Sequence, residues 1–89
     1  MNWEQIYIEV YNEQLNFQLE KNKEYGNFYL SPIGIFSKDQ PKTRVLNRLD
    51  EKLGRVKQLG LDKELARDIV GCLMSWLALD YMEETNSPI

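Results

Sequence analysis

The segment Arg48-Leu-Asp-Glu-Lys-Leu-Gly-Arg55 decides the fold, because it carries leucines at the spacing of a helix core and charges at the spacing of a helix rim. Leu49 and Leu53 belong to an apolar stripe that starts at Val45 and Leu46 and runs to Val56, the repeat of an amphipathic helix. Working outward, Gln40-Pro41 is a start signal, since a first-turn proline lacks an N–H that would have had no partner anyway. Gly60 is a stop signal, because glycine enters the left-handed region at little cost. Arg44, Arg48, Lys52 and Arg55 follow one another at intervals of four, four and three and form a basic ridge beside the stripe.

Downstream, Asp62 is placed to cap a further helix, with Lys63-Glu64 in its first turn. From Leu65 to Tyr81 this helix is apolar around most of its circumference, so it needs neighbours on several sides, from its own chain or a second copy. The exception is a narrow small or acidic stripe of Glu64, Asp68, Gly71, Cys72 and Ser75. The link around Gly60 is short, which predicts an antiparallel helix hairpin. Matching positions across that turn brings Asp50 toward Gly71, and Lys52 and Leu53 toward Asp68. Glycine inside a helix costs about 1 kcal/mol against alanine, so Gly54 and Gly71 suggest that the two backbones approach closely. Asp50 follows core-facing Leu49 and Asp68 precedes Ile69; both carboxylates are expected to be partly buried and to need a cation, with Lys52 and Arg55 nearest. Two readings follow. The four residues form a structural ion-pair network, or they floor a site in which Arg48, Lys52 and Arg55 hold phosphate while Asp50, Asp68 and Glu64 hold Mg²⁺.

Upstream, Trp3, Tyr7, Val10, Tyr11, Leu15 and Leu19 recur at helical spacing to about Lys21, with Ile6 and Ile8 widening the stripe and Asn2 as the cap. Glu4, Glu9, Glu13 and Glu20 spread around the opposite face as a solvated surface. Lys21 to Asn27 breaks the pattern at Gly26. Tyr25, between Lys23 and Gly26, has two readings: a plug of the core, or a platform that stacks a base beside phosphate-binding lysines. The following stretch, Phe28 to Phe36, is apolar but interrupted by Pro32 and Gly34, which predicts a loop with a short helical turn at Ser31-Pro32, serving as a lid or a pocket wall.

An 89-residue chain has room for one domain, expected here over residues 1–82 with 83–89 as a flexible polar tail. So small a core makes a homo-oligomer the expected state. A net charge of −3 gives no general attraction to extended nucleic acid or an anionic membrane, so any basic site is local. Cys72 is the single cysteine and there is no histidine, which excludes a disulfide framework, a thiolate zinc cluster and imidazole chemistry. No signal-peptide pattern or membrane-length apolar run is present, and the expected location is the cytoplasm, that of the host if the chain is phage-encoded.

Taken together, Lys23-Glu-Tyr-Gly-Asn27, Pro32-Ile-Gly-Ile-Phe-Ser37, Arg48-Leu-Asp-Glu-Lys-Leu-Gly-Arg55 and Asp68-Ile-Val-Gly-Cys-Leu73 resemble the nucleotide modification associated domain 1 family of small phage and bacterial proteins. That family is in turn similar to the all-α nucleoside triphosphate pyrophosphatases of the MazG-like kind. The resemblance implies a helical, oligomeric protein that handles nucleotides, with matching positions at Lys23, Tyr25, Gly26, Arg48, Asp50, Lys52, Arg55, Asp68 and Gly71. It further implies acids that hold Mg²⁺ at the phosphates; Glu20, Glu64, Asp50 and Asp68 stand in those places.

The expected fold is all-α: a small bundle with a long N-terminal helix, the apolar loop, and a C-terminal antiparallel helix hairpin. The expected function is nucleotide binding for sequestration or sensing, in which Tyr25 stacks on a base while Lys23, Arg48, Lys52 and Arg55 hold phosphate. Two alternatives remain open. One is Mg²⁺-dependent pyrophosphohydrolysis of a nucleoside triphosphate through Asp50, Asp68 and Glu64. The other is a phage protein that docks its apolar loop and last helix on a host protein and inhibits it.

Overall fold

In a computed structural model, residues 1–25 and 40–85 are described and form three helices: α1 (Trp3–Tyr25), α2 (Pro41–Leu59) and α3 (Lys63–Thr85). The fold is all-α. The apolar stretch from Phe28 to Phe36, with its expected helical turn, lies outside the described residues, as do residues 86–89.

Local signals mark the starts of the three helices and the end of α2. Asn2 and Gln5 form a reciprocal capping box at the start of α1: the Gln5 N–H donates to Asn2 Oδ1 at 2.9 Å, and the Asn2 N–H donates to Gln5 Oε1 at 3.0 Å. α2 starts with Pro41 at its first position after an extended Gln40. It ends at Gly60, whose φ of 83° belongs to glycine and whose N–H donates to the Val56 carbonyl at 2.8 Å. Asp62 caps α3 as expected, its Oδ1 accepting the Leu65 N–H at 2.8 Å. α3 then continues through Thr85, past the expected domain end at residue 82, with Thr85 Oγ1 donating back to the Tyr81 carbonyl at 2.9 Å.

Among the described residues, the hairpin of α2 and α3 is the packed part. Val45, 1% exposed, meets Cys72 and Leu79 at its centre, with Leu49 and Trp76 against them. Lys42 anchors the open end of the hairpin. Its Nζ donates to Asp80 Oδ1 at 2.9 Å and Glu83 Oε2 at 3.0 Å, and lies 4.5 Å from the centre of the Trp76 ring.

α1 joins through polar residues. Gln14, buried on this helix, donates through Nε2 to the Arg67 carbonyl at 3.0 Å. One turn on, the Gln18 carboxamide lies against Gly71. Both contacts advance together along the two helices, so α1 and α3 run in the same direction, antiparallel to α2.

The expected close approach of Gly54 and Gly71 is not what forms. A Cβ on Gly54 would meet nothing within 4 Å, whereas one on Gly71 would fall 2.9 Å from Gln18 Cδ and Oε1. The crowding at Gly71 comes from α1, because Gly54 is exposed and turned away from α3.

Candidate functional site

Among the described residues, no Cα atom of α1 comes within 8 Å of one in α2. Both lean on α3, which leaves a groove of about 720 Å³ between them. Its floor is the small and acidic stripe of α3: Glu64, Asp68, Gly71, Ser75 and Ala78 recur every three or four residues and all line it. The α2 wall is Arg48 and Lys52, and the α1 wall is Leu15, Gln18, Leu19 and Lys21. Among the described residues, three cations and two carboxylates line this groove, in a chain whose net charge is −3.

A polar contact joins the α2 wall of the groove to its floor. Lys52 Nζ lies 3.2 Å from Asp68 Oδ2, with side chains 12% and 27% exposed. This is the pairing expected from matching positions across the short turn. Beneath it, burial pushes the Cys72 thiol above its ordinary value, and the Arg48 and then Lys52 charges pull it partly back.

On the α1 side, Phe17 is held between cations. Lys21 Nζ is 5.4 Å and the Arg67 guanidinium 5.5 Å from its ring centre, and Arg67 also pairs with Glu13 at 3.8 Å. Phe17, Gln18 and Lys21 line the groove but do not stand out in the sequence, where α1 reads as an apolar stripe backed by a solvated face. The available signal was Gln14, Phe17, Gln18 and Lys21 at helical spacing, a polar continuation of that stripe.

The other candidate residues are distributed more widely than expected. Arg48, Lys52, Glu64 and Asp68 share the groove. Arg55 and Asp50 are exposed on α2 and do not line it. For Asp50 this overturns the expected partial burial: the α3-facing side of α2 carries Val45, Leu49, Lys52 and Val56, and Asp50 is turned a full 100° step beyond Leu49. Lys23 is exposed on α1 beside Glu20, at 3.9 Å, outside the groove. Tyr25 is the last residue of α1, and its side chain lies outside those described.

Of the acids expected to hold Mg²⁺, Glu64 and Asp68 sit one turn apart on the groove floor while Asp50 is elsewhere. Among the described residues no group of three or more metal-ligating side chains gathers, and no helix is long and apolar enough to cross a membrane. No protein family, curated protein sequence or solved structure matches the chain.

Proposed function

We propose that the groove binds a small phosphate-bearing ligand, a nucleotide, and that the protein acts by sequestering or sensing it in the cytoplasm. The observation that carries this reading is the local reversal of charge: among the described residues, cations outnumber carboxylates around a groove whose size falls within the ~300–1000 Å³ of small-molecule sites. Arg48 supplies a planar fork for phosphate oxygens, and Lys52 a point charge fixed in place by Asp68. Leu15 and Leu19 give the apolar wall that a base requires. Tyr25, at the end of α1, is the stacking residue in this reading, with Lys23 and Arg55 as outlying cations that draw phosphate in. The same ligand class is what the resemblance of the Tyr25-Gly-Asn, Arg48-to-Leu53 and Asp68-to-Gly71 elements to a nucleotide-associated family implies.

Calorimetry across mono-, di-, tri- and cyclic nucleotides, with inorganic phosphate as a control, tests the proposal. Removing a charge-assisted contact costs about 1.5–3 kcal/mol. Arg48→Ala is therefore expected to weaken binding by roughly 10- to 100-fold. The reading fails if none of these ligands binds in a way that Arg48→Ala weakens.

A second reading has one observation in its favour, the one-turn spacing of Glu64 and Asp68 on the floor. Mg²⁺ is commonly held by one or two carboxylates together with substrate phosphates, so these two fit a triphosphate-bridged ion, which would supply Lewis-acid assistance to pyrophosphate release. Two measurements bear on it. Mg²⁺ is expected to tighten triphosphate binding to the native protein but not to Glu64→Gln, and pyrophosphate release is expected to exceed that of Asp68→Asn. If neither occurs, this reading is removed and simple binding remains.

A further inference from the structure

Outside the groove, α1 and α3 are offset along their axes. Gln14 meets Arg67, 53 positions later, and Gln18 meets Gly71 at the same offset. α3 begins at Lys63, so α1 has nothing of α3 beside it before Val10. Its first two turns reach about 10 Å beyond the end of α3. This overhang carries apolar residues on the face that farther along holds Gln14 and Gln18. Trp3 is 73% and Tyr7 64% exposed, with Val10 and Tyr11 more than half exposed beside them and Ile6 at the edge. The Trp3 and Tyr7 rings already lean on each other, 6.2 Å between centres.

The second exposed stripe is on α3. Val70, Leu73, Leu77 and Tyr81 are all exposed, at the spacing of one helix face. That face points toward neither α1, which sits at Arg67 and Gly71, nor α2, which sits at Cys72 and Leu79.

We propose that a second copy of this chain covers both stripes, closing a homodimer through the α1 overhang and the outer face of α3. Nine large apolar side chains, most of them about half exposed, offer roughly 700–1000 Å² per copy, and a standard interface takes about 800 Å² from each partner. The occupant is a second copy because the area on offer matches what a dimer takes from each partner, and a two-fold axis lets each copy give and receive the same surfaces. The interface is independent of what the groove binds.

Sedimentation of the full chain over a wide concentration range tests this. The native protein is expected at twice the 10.5 kDa chain mass, dissociating on dilution. Tyr7→Glu and Leu77→Glu, each with helical circular dichroism retained, are expected to weaken the dimer at least tenfold. Amide exchange gives the same readout without substitution: in the dimer, residues 5–11 are expected to exchange as slowly as those of α2. A single-chain mass at every concentration overturns the proposal, whether residues 26–39 or a foreign protein then supplies the cover. A dimer that survives both substitutions, or an α1 overhang that exchanges rapidly within the dimer, overturns it as well.

Discussion

Replacing Gly54 by alanine is expected to stabilise this protein, and the size of the gain follows from what surrounds the position. Gly54 lies in the interior of α2, is exposed, and would place its new Cβ in open space. Only the backbone then contributes: alanine restricts the unfolded chain and favours the helix by about 0.5–1 kcal/mol. For a chain of this length that raises Tm by roughly 2–8 °C. Gly71→Ala has the same backbone gain but sets its Cβ 2.9 Å from Gln18 Cδ and Oε1. The end of Gln18 is flexible and swings aside, so the cost is its packing against α3, enough to cancel most of the gain. Thermal and urea unfolding, followed by far-ultraviolet circular dichroism at one matched protein concentration, gives both values. A Gly54→Ala protein no more stable than the native chain, or no better than Gly71→Ala, would refute the reasoning and mean that something packs on Gly54.

Asp68→Asn leaves the Lys52 ammonium, 12% exposed, without its carboxylate, and is expected to cost about 1–3 kcal/mol in urea unfolding. Lys52→Met together with Asp68→Leu is expected to recover most of that loss, because no charge is then left unpaired. At the other end of the hairpin, hydrogen bonds to Asp80 and then Glu83 hold the Lys42 ammonium above its ordinary pKa of 10.5. A raised lysine pKa means that the folded state binds the proton more tightly. Its contribution is therefore fully present below pH 10.5 and is lost as pH rises through the higher folded value. The stability difference between native protein and Lys42→Met is expected to be constant from neutral pH to about pH 10 and to shrink above it, read from urea midpoints at each pH. A difference that grows toward alkaline pH would contradict the assigned partners.

The helices and the α2–α3 hairpin were legible in the residues because their causes are local. Asn2, Pro41, Gly60 and Asp62 act within one turn of where they stand, and each sits at the boundary it signals. Gly60 to Asp62 is too short a link to allow α2 and α3 more than one alignment, so the Lys52–Asp68 pair followed from counting across it. Asp50 was misplaced by a finer error of the same kind: adjacency to Leu49 in sequence is a 100° turn on the helix, which carried its carboxylate to solvent.

The placement of α1 had no such local cause. Periodicity named Trp3, Tyr7, Val10 and Tyr11 as one face and was right about the face, but it could not say what covers it. The same face continues into Gln14 and Gln18, and it is this polar half that meets α3. By itself the sequence determined three capped helices and the register of the last two, because short-range hydrogen bonds and a three-residue link fix them. Only the tertiary structure decided where α1 sits along α3, and with it the groove and the overhang, because the long connection between α1 and α2 permits many offsets and packing selects among them.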